Sequence, residues 1–358
     1  MDSNFIPLVV AALAVLFPTS SSKKAATASD DYLFNPLFAS YTTQNEDFGK
    51  YLKTVLAQLA DYATRTRVDR PLNILLAASP GTGKSYLAKQ LAKALESKIK
   101  GSVHGKEGVA FEEVYVAAFR SVDDLLGVFQ RVQSANLRGY LPFVLFDEVD
   151  SRVGTDFLLA NFLAPMWDGK FYEGRDSYAL GPAVFCFAGS ALLPSPELPK
   201  KRKKGASNST LTYDAFVAAW RAEVDNTLTL PSSEKDIPKL RDFVDRIDVM
   251  LCIPPADLML LDAQKVAKEC SDIVYSWIMK HYPSVNRVEK AVLLLLAKEL
   301  AKEQTSRRRV EKIVFASTTP SDGSFQLSNL PLPLQTKYAN DEVVSGNAGK
   351  FFSIRRSK

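Results

Sequence analysis

The sequence feature that most constrains the fold is a glycine-containing loop between a strand-like run and a helix-like run. The apolar run Leu72–Ala78 is followed by the letters SPGTGKS, and leucines at helical spacing come next, at Leu87, Leu91 and Leu95. Glycines let backbone N–H groups converge on a phosphate, and the N-terminus of a helix adds a favourable dipole. The sequence therefore predicts a phosphate-binding loop that joins a strand to a helix.

The residue types of this loop fit a nucleoside triphosphate. The candidate nucleotide-binding residues are Ser79, Pro80, Gly81, Thr82, Gly83, Lys84, Ser85 and Tyr86. We expect Lys84 to bridge the β- and γ-phosphates and the Ser85 hydroxyl to bind Mg²⁺. Ala78 stands where the usual pattern has glycine, and alanine fits there if its φ is negative. The alternative interpretation is a glycine turn that caps a helix, with Lys84 exposed to solvent.

A second apolar run ends in two carboxylates. Phe143–Phe146 is followed directly by Asp147 and Glu148. Ligands of parallel α/β sheets bind at the carboxyl ends of the strands, where these acids would lie. We expect Asp147 to hold Mg²⁺ and Glu148 to polarise the water that attacks the terminal phosphate. The two motifs together predict ATP and Mg²⁺ as cofactors. The alternative is that the acids merely cap a strand or begin a helix.

Short apolar runs alternate with helical patterns in the chain up to residue 253. The runs are Leu72–Ala78, Val114–Phe119, Phe143–Phe146, Ala183–Ala188 and Val249–Ile253. Such runs are typical of a parallel sheet that is covered on both faces. The sequence therefore predicts an α/β fold with a five-stranded parallel sheet of the P-loop type. Beyond Pro254–Pro255 the patterns are helical, which predicts a small helical subdomain.

These patterns predict four regions of the chain. Residues 1–31 are an apolar segment and a linker, residues 32–256 are the α/β nucleotide-binding domain, residues 257–316 are the helical subdomain, and residues 317–358 are an irregular tail. The apolar segment Phe5–Phe17 has thirteen residues, fewer than the roughly 20 that cross a bilayer. Three interpretations of it stay open: a helix docked on the protein or on a partner, membrane association, and a cleaved signal.

Composition excludes several classes of protein. The net charge of +5 is too small to make the whole chain a polycation, and the two histidines are too far apart to suggest a zinc site. Three cysteines without close spacing argue against a disulfide framework and favour a reducing, cytoplasmic location. Five consecutive cations, Lys200–Lys204, form a strongly basic run. This run predicts a solvated loop, or contact with nucleic acid or acidic lipid.

The letters SPGTGKS, the stretch VLFDEVD at residues 144–150 and the segments that follow resemble an AAA+ ATPase. Within that family the chain is most similar to the Clp-type unfoldase branch. Phe162–Gly189 resembles the leucine-rich helix, Asp-Gly turn and fourth strand of that branch, and Leu240–Pro255 resembles its segment from a helix end into the fifth strand. The resemblance covers roughly residues 45–316. It implies a P-loop α/β core with a small C-terminal helical lid, and ATP hydrolysis.

The resemblance also implies three further site residues. Arg246 matches the arginine finger that reaches the γ-phosphate of the neighbouring subunit, and Ser190 matches the polar residue that senses the same phosphate. Arg308 is the best match to the arginine of the helical lid, with Arg287 as its rival. An arginine that acts on a neighbouring subunit makes the chain its own partner, in a ring or a helical filament.

The implied function is an oligomeric ATPase that remodels a macromolecular partner, above all a protein substrate or effector. The aromatic-glycine pore loop of the Clp-type branch is missing where Phe119 leads into Asp123, so the resemblance does not extend to peptide threading. Two alternatives stay open. One is a nucleotide-dependent switch or scaffold with slow turnover, and the other is an ATPase stimulated by nucleic acid through Lys200–Lys204. Contact with a membrane through Phe5–Phe17 is compatible with each of these functions.

Overall fold

A computed structural model describes residues 11–13, 15, 32, 34–100, 106–189, 193–194, 212–229, 238–254, 263–302, 307–338 and 347–353. The chain divides into two compact units. The first, which we call the α/β unit, is Glu46–Pro255. The other, which we call the second unit, combines Met1–Asn45 with Ala256–Lys358.

The α/β unit follows the predicted alternation of strands and helices. Its elements are α1 (Glu46–Thr64), β1 (Leu72–Ala77), α2 (Lys84–Ile99), β2 (Gly108–Tyr115), α3 (Val122–Leu137), β3 (Tyr140–Asp147), β4 (Arg152–Val153), β5 (Asp156–Phe157), α4 (Leu159–Trp167), β6 (Lys170–Glu173), β7 (Asp176–Ala179), β8 (Val184–Ala188), α5 (Tyr213–Thr229), α6 (Leu240–Val244) and β9 (Val249–Cys252). Five strands lie side by side in the order β2-β3-β8-β1-β9, and every neighbouring pair is parallel. The predicted five-stranded parallel sheet of an α/β P-loop fold is confirmed.

The central strands are stabilised by their continuous apolar runs. β1, β3 and β8 are buried over almost their whole length, as expected where helices cover both faces of a parallel sheet. The rings of Phe146, Phe162 and Phe187 pack together with centroids 4.9 to 5.4 Å apart. This aromatic packing joins β3, β8 and α4, so the strand end that carries the two acids rests on a rigid core.

The second strand of the sheet begins and ends earlier than its apolar run predicts. The run Val114–Phe119 predicted a strand, whereas β2 ends at Tyr115 and Val116–Ala118 forms a 3-10 turn. β2 lies at the edge of the sheet and pairs with β3, with Tyr115 opposite Asp147. An edge strand is half exposed and tolerates polar residues, so the two glutamates in the middle of β2 conceal it from a search for apolar runs.

The second unit contains a small sheet as well as helices. Its elements are α7 (Ala263–His281), β10 (Arg287–Glu289), α8 (Lys290–Lys302), α9 (Arg307–Phe315), β11 (Ser324–Phe325), α10 (Leu332–Tyr338) and β12 (Phe351–Ser353). β10 pairs in parallel with β11 and antiparallel with β12. The structure thus differs from the interpretation of residues 257–316 as helices alone and of residues 317–358 as an irregular tail. These strands have two or three residues each, too few for a period of two to be visible.

The described residues between 32 and 45, which the sequence placed in the nucleotide-binding domain, group with the second unit instead. Tyr32 stacks on Tyr275 of α7, with ring centroids 5.0 Å apart. The Gln44 N–H donates to the Glu269 carboxylate of the same helix at 2.9 Å. These contacts attach the segment to α7, and a sequence pattern does not reveal them because the partners are far apart in the chain.

Part of the apolar segment Phe5–Phe17 falls within the described residues, namely 11–13 and 15. Ala12 and Leu13 are buried in the apolar core of the second unit. Their burial supports the interpretation of this segment as a docked helix. None of the helices in the described ranges is long and apolar enough to span a membrane.

Candidate nucleotide-binding site

The loop predicted to bind phosphate connects the end of β1 to the start of α2. Gly81 and Gly83 have φ angles of 79° and 95°, a left-handed conformation that glycine adopts without the strain of other residues. The Thr82 hydroxyl donates to the Ser79 carbonyl at 2.8 Å, which closes the loop on itself. Ala78 does not have a positive φ, so alanine fits the position where the usual pattern has glycine.

The start of α2 makes the loop suitable for an anion. The helix begins at Lys84, and the first N–H groups of a helix have no partner within it. These donors and the positive end of the helix dipole lie at the loop, where they favour a phosphate. The Lys84 ammonium donates to the Ala78 carbonyl at 3.3 Å, so it lies over the loop. All the candidate residues from Ser79 to Tyr86 are in the loop or the first turn of α2.

The first turn of α2 and the end of β3 meet at two oxygen atoms. The Ser85 hydroxyl donates to Asp147 Oδ2 at 3.2 Å. The other oxygen of this largely buried carboxylate, Oδ1, accepts the Glu148 N–H at 3.0 Å. The contact arises because β1 and β3 both pair with β8, which brings their carboxyl ends to the same edge of the sheet.

A hydroxyl and a carboxylate side by side are a suitable basis for a Mg²⁺ site, because Mg²⁺ prefers oxygen ligands and keeps several waters. In the part of the chain that the structure describes, no group of three or more His, Cys, Asp or Glu side chains is arranged to hold a metal ion. Ser85 and Asp147 would supply two oxygen ligands to Mg²⁺, and a bound phosphate and water would supply the others.

Glu148 stands beside this pair in an uncommon backbone conformation. Its φ is 54°, in the left-handed region, where a residue other than glycine is strained by on the order of 1–3 kcal/mol. Its Oε1 accepts a hydrogen bond from the Tyr115 hydroxyl at 3.3 Å. Backbone strain of this kind is concentrated at functional sites. It supports the role that the sequence predicts for Glu148.

Tyr115 is a candidate site residue that sequence reasoning missed. It is the last residue of β2 and lies opposite Asp147 in the pairing of β2 with β3. The strand register brings its hydroxyl to Glu148, and a register between strands is not visible in a single sequence. The available signal is weaker: Tyr115 carries a polar hydroxyl within the apolar run Val114–Phe119.

Arg246 lies near the amino-terminal ends of the strands of the same sheet, whereas the loop and the acids lie at their carboxyl-terminal ends. Its carbonyl accepts the Asn73 side-chain amide at 3.0 Å, and the Asp248 N–H donates to the Asn73 carbonyl at 2.9 Å. Asn73 is near the start of β1, whereas the phosphate loop follows its end. At about 3.3 Å per residue, these points are roughly 15 Å apart. Within one chain, therefore, Arg246 and the loop are not brought together.

The side chain of Arg246 is partly enclosed by its own chain. Its Nη1 donates to the Asp242 carbonyl. Its Nε is buried and has no hydrogen-bond partner among the residues that the structure describes. An enclosed donor without a partner costs free energy.

The remaining predicted site residues lie in the second unit or outside the described residues. Ser190 and Lys200–Lys204 are outside them. Arg308 is exposed on α9. Its rival Arg287 lies on β10, with its guanidinium 5.3 Å from the centre of the Phe351 ring.

Comparisons with known proteins agree with the geometry of the loop and the acids. Residues 74–175 match the model of the ATPase family associated with various cellular activities, AAA. No curated protein matches the sequence. Similar solved structures include C. elegans PCH-2, which is 15% identical, with 87% of this chain and 72% of that chain covered and a TM-score of 0.44. They also include the S. cerevisiae Hsp104-ADP complex, which is 14% identical, with 88% of this chain and 48% of that chain covered and a TM-score of 0.44.

The chain thus spans about half the length of the Hsp104 chain. Both TM-scores are below 0.5, so these two likenesses add no weight to the assignment. The family match has independent support, because residues 74–175 contain the loop of left-handed glycines and the paired acids Asp147 and Glu148. The match of residues 74–175 to the AAA family model bears out the resemblance to an AAA+ ATPase that was inferred from the sequence.

Proposed function

We propose that this chain binds ATP with Mg²⁺ in the loop between β1 and α2, hydrolyses it as an oligomer, and uses the cycle to remodel a macromolecular partner. The observation that carries the proposal is the 3.2 Å contact between the Ser85 hydroxyl and the Asp147 carboxylate, with Glu148 next in the chain. The AAA-family domain supports ATP as the nucleotide.

Each group of residues at the site has a separate role in ATP hydrolysis. Lys84 and the N–H groups of the loop hold the phosphates and stabilise the charge that develops on the transferred phosphoryl oxygens. Ser85 and Asp147 hold Mg²⁺, which supplies neutralisation of the phosphate charge. Glu148 accepts a hydrogen bond from the attacking water and orients it. This suffices because phosphoryl transfer depends mainly on positioning and charge stabilisation.

Arg246 enters this scheme through a second copy of the chain. It lies near the amino-terminal ends of the strands, roughly 15 Å along β1 from the loop of its own chain. Its guanidinium therefore serves the nucleotide that is bound to a neighbouring copy. A head-to-tail contact between the two edges closes into a ring or continues as a helical filament, depending on the rotation between copies. An arginine supplied in trans accelerates hydrolysis by roughly 10³–10⁵ in nucleotidases that use one.

A nucleotide-dependent switch with slow turnover is the second candidate, and one contact favours it. The Tyr115 hydroxyl donates to one of the two carboxylate oxygens of Glu148, the group that would orient the attacking water. A chain that keeps this contact after it binds ATP would hydrolyse the ATP slowly, so its ATP-bound assembly would be long-lived. A stable ATP-bound assembly with negligible turnover, although Glu148 is intact, distinguishes the switch from a remodelling ATPase. The turnover of a remodelling ATPase rises with its partner.

Two substitutions test the site itself. Lys84→Ala removes the ammonium over the loop, so we expect it to abolish binding of a fluorescent ATP analogue. Glu148→Gln keeps the shape of the side chain but is a poor base, so we expect normal ATP binding without phosphate release. Lys89→Ala, an exposed lysine on the same helix, is the control and should behave as wild type. Wild-type turnover in Lys84→Ala would overturn the proposal.

A mixture of two inactive proteins tests the shared site. We expect Arg246→Ala to bind ATP without hydrolysing it. Mixed with the Glu148→Gln protein, it forms some interfaces that combine an intact Glu148 from one copy with an intact Arg246 from the other. Part of the wild-type turnover should then return. If both proteins join the same assemblies and no turnover returns, Arg246 does not act in trans.

A further inference from the structure

An exposed tryptophan lies beside Arg246 at the amino-terminal edge of the sheet. Trp167 is the last residue of α4, and 57% of its surface is exposed. The side-chain amide of Asn73 donates to the Met166 carbonyl at 3.1 Å and to the Arg246 carbonyl at 3.0 Å. One buried amide therefore fixes the two backbone segments that carry Trp167 and Arg246.

A guanidinium group packs on the indole ring, and the turn that follows the ring is tightly packed. The Arg70 guanidinium lies 5.3 Å from the centre of the ring and forms two hydrogen bonds with the Asp248 carboxylate, at 2.7 and 3.0 Å. Gly169, two residues after the tryptophan, packs so closely on Asp69 that a Cβ would lie 1.7 Å from the Asp69 carbonyl oxygen. Because Arg70 restricts the ring and the turn after it is tightly packed, the ring loses less conformational entropy when another surface covers it.

An exposed tryptophan in a fixed position is typical of a protein contact site. The chain has three tryptophans, and the other two, Trp220 and Trp277, are 3% and 7% exposed. Tryptophan and arginine are enriched among the residues that dominate the binding energy of interfaces. The charge of Arg70 is already paired with Asp248, so covering the ring does not leave the Arg70 guanidinium as an unpaired buried charge.

The proposed function, on which this inference rests, identifies the molecule that covers the ring. An Arg246 that serves a second copy brings the surface around it against the carboxyl-terminal edge of that copy's sheet. At this end of the strands, the Tyr115 ring and the Val122 side chain offer apolar surface, and each residue is nearly half exposed. We infer that Trp167 packs against this edge of the neighbouring copy and anchors the contact that brings Arg246 to the nucleotide.

The fluorescence of Trp167 reports this contact directly, because the other two tryptophans are already buried. The full chain with Glu148→Gln is assembled with Mg·ATP, and its mass is followed by sedimentation velocity. We expect the emission maximum to shift to shorter wavelength as the mass increases. The same protein with Trp167→Phe should assemble without the shift. This measurement does not depend on a variant that risks misfolding, since the signal comes from the native tryptophan.

Removal of the ring tests its contribution to assembly. In the same Glu148→Gln background we expect Trp167→Ala to raise the protein concentration for half-maximal assembly by about tenfold or more. The affinity of the separate chain for a fluorescent ATP analogue should not change. Leu332→Ala, which removes an exposed apolar side chain from the second unit, is the control and should assemble as the parent does.

The inference and the proposed function fail in different ways. Suppose that the wild-type chain assembles and hydrolyses ATP, the emission does not shift, and Trp167→Ala assembles at the parent concentration. The inference is then wrong and the proposed function stands. Failure of the wild-type chain to assemble with Mg·ATP at any concentration would overturn both.

Discussion

The hydroxyl of Tyr115 donates to the carboxylate of Glu148 across 3.3 Å. The two residues come from neighbouring strands, and they meet because Tyr115 pairs with Asp147, the residue before Glu148. A hydrogen bond to one carboxylate oxygen restricts the orientation of the whole group. Tyr115 is therefore placed to position the residue that we expect to orient the attacking water.

Replacement of Tyr115 by phenylalanine removes this donor and keeps the ring. We expect Tyr115→Phe to lower kcat for ATP hydrolysis by about three- to tenfold. A hydrogen bond to a charged group contributes about 1.5–3 kcal/mol, and the exposure of this one reduces its effect. The affinity for ATP should be unchanged, since the contact involves no residue of the phosphate loop. Steady-state phosphate release and nucleotide titration separate the two quantities.

Tyr140→Phe is the matched control, because Tyr140 is a partly exposed tyrosine at the other end of β3. It should leave kcat unchanged. An equal kcat for Tyr115→Phe and wild type would show that the hydroxyl does not position Glu148. A higher kcat would show that the contact holds Glu148 idle, as the switch function requires.

We expect substitution of Gly83 by alanine to be unfavourable because of the positive φ of this residue, and not because the added Cβ would clash with a neighbour. Its φ is 95°, yet an added Cβ would meet its nearest neighbour, the Tyr86 Cβ, only at 4.0 Å. We expect Gly83→Ala to lower the free energy of unfolding by about 1 kcal/mol or more. It should also weaken ATP binding, since a relaxed loop turns its N–H groups away from the phosphate. Thermal unfolding and nucleotide titration measure the two effects.

The control for this prediction is a glycine inside a helix. Gly127 lies within α3, and its added Cβ would meet Arg131 Nη1 at an ordinary 3.6 Å. Gly127→Ala should stabilise the chain by about 0.5–1 kcal/mol, because alanine loses less backbone entropy than glycine in a helix. If alanine at residue 83 were tolerated as well as at residue 127, the left-handed conformation of the loop would be wrong.

The loop and the paired acids could be predicted because short stretches of sequence encode them. β1 and β3 are central strands buried on both faces, so their sequences are continuous apolar runs. Each run stops where its site residues begin, at Ser79 after β1 and at Asp147 and Glu148 after β3. Local sequence therefore sufficed for the strands that carry the site and for the residues at their ends.

Contacts between distant strands could not be predicted in this way. The polar residues of β2 conceal where it begins, and with it the register that brings Tyr115 to Glu148. In the second unit, Val288 pairs with Phe325 and with Phe352, which come much later in the chain. Strands this short show no periodicity of their own, so the pairing depends on the packing of the whole unit.

Asp147 should control the dependence of ATP binding on Mg²⁺. Its carboxylate is largely buried beside the Ser85 hydroxyl, so Asp147→Asn preserves the packing and removes the charge. We expect the Mg²⁺ concentration for half-maximal ATP binding to rise about 10- to 100-fold, the usual effect of losing a partner of a metal site. Nucleotide titrations at stepwise Mg²⁺ concentrations measure the change. Asp156→Asn, at an exposed acid on β5, should show none; an equal Mg²⁺ dependence in both variants would exclude Asp147 from the site.

Two carboxylates of α7 are buried against the segment that precedes α1. Glu269 accepts the Gln44 N–H at 2.9 Å and lies 3.6 Å from the Arg307 guanidinium, and Asp272 accepts the Tyr32 hydroxyl at 2.9 Å. Burial raises the pKa of Glu269 above its ordinary value, while Arg307 and the Gln44 N–H lower it by less. Burial raises the pKa of Asp272 in the same direction.

The raised pKa of Glu269 means that the folded second unit binds a proton more tightly than the unfolded chain does. Its contribution to stability is therefore complete below the ordinary pKa of the carboxyl and is lost as the pH rises through the raised pKa of the folded state. Glu269→Gln cannot ionise, so we expect its unfolding midpoint to increase relative to that of wild type as the pH rises above the ordinary carboxyl pKa of about 4. Thermal unfolding followed by circular dichroism at several pH values measures this difference. A difference that stays constant or shrinks as the pH rises would contradict the predicted cost of ionising Glu269 within the fold.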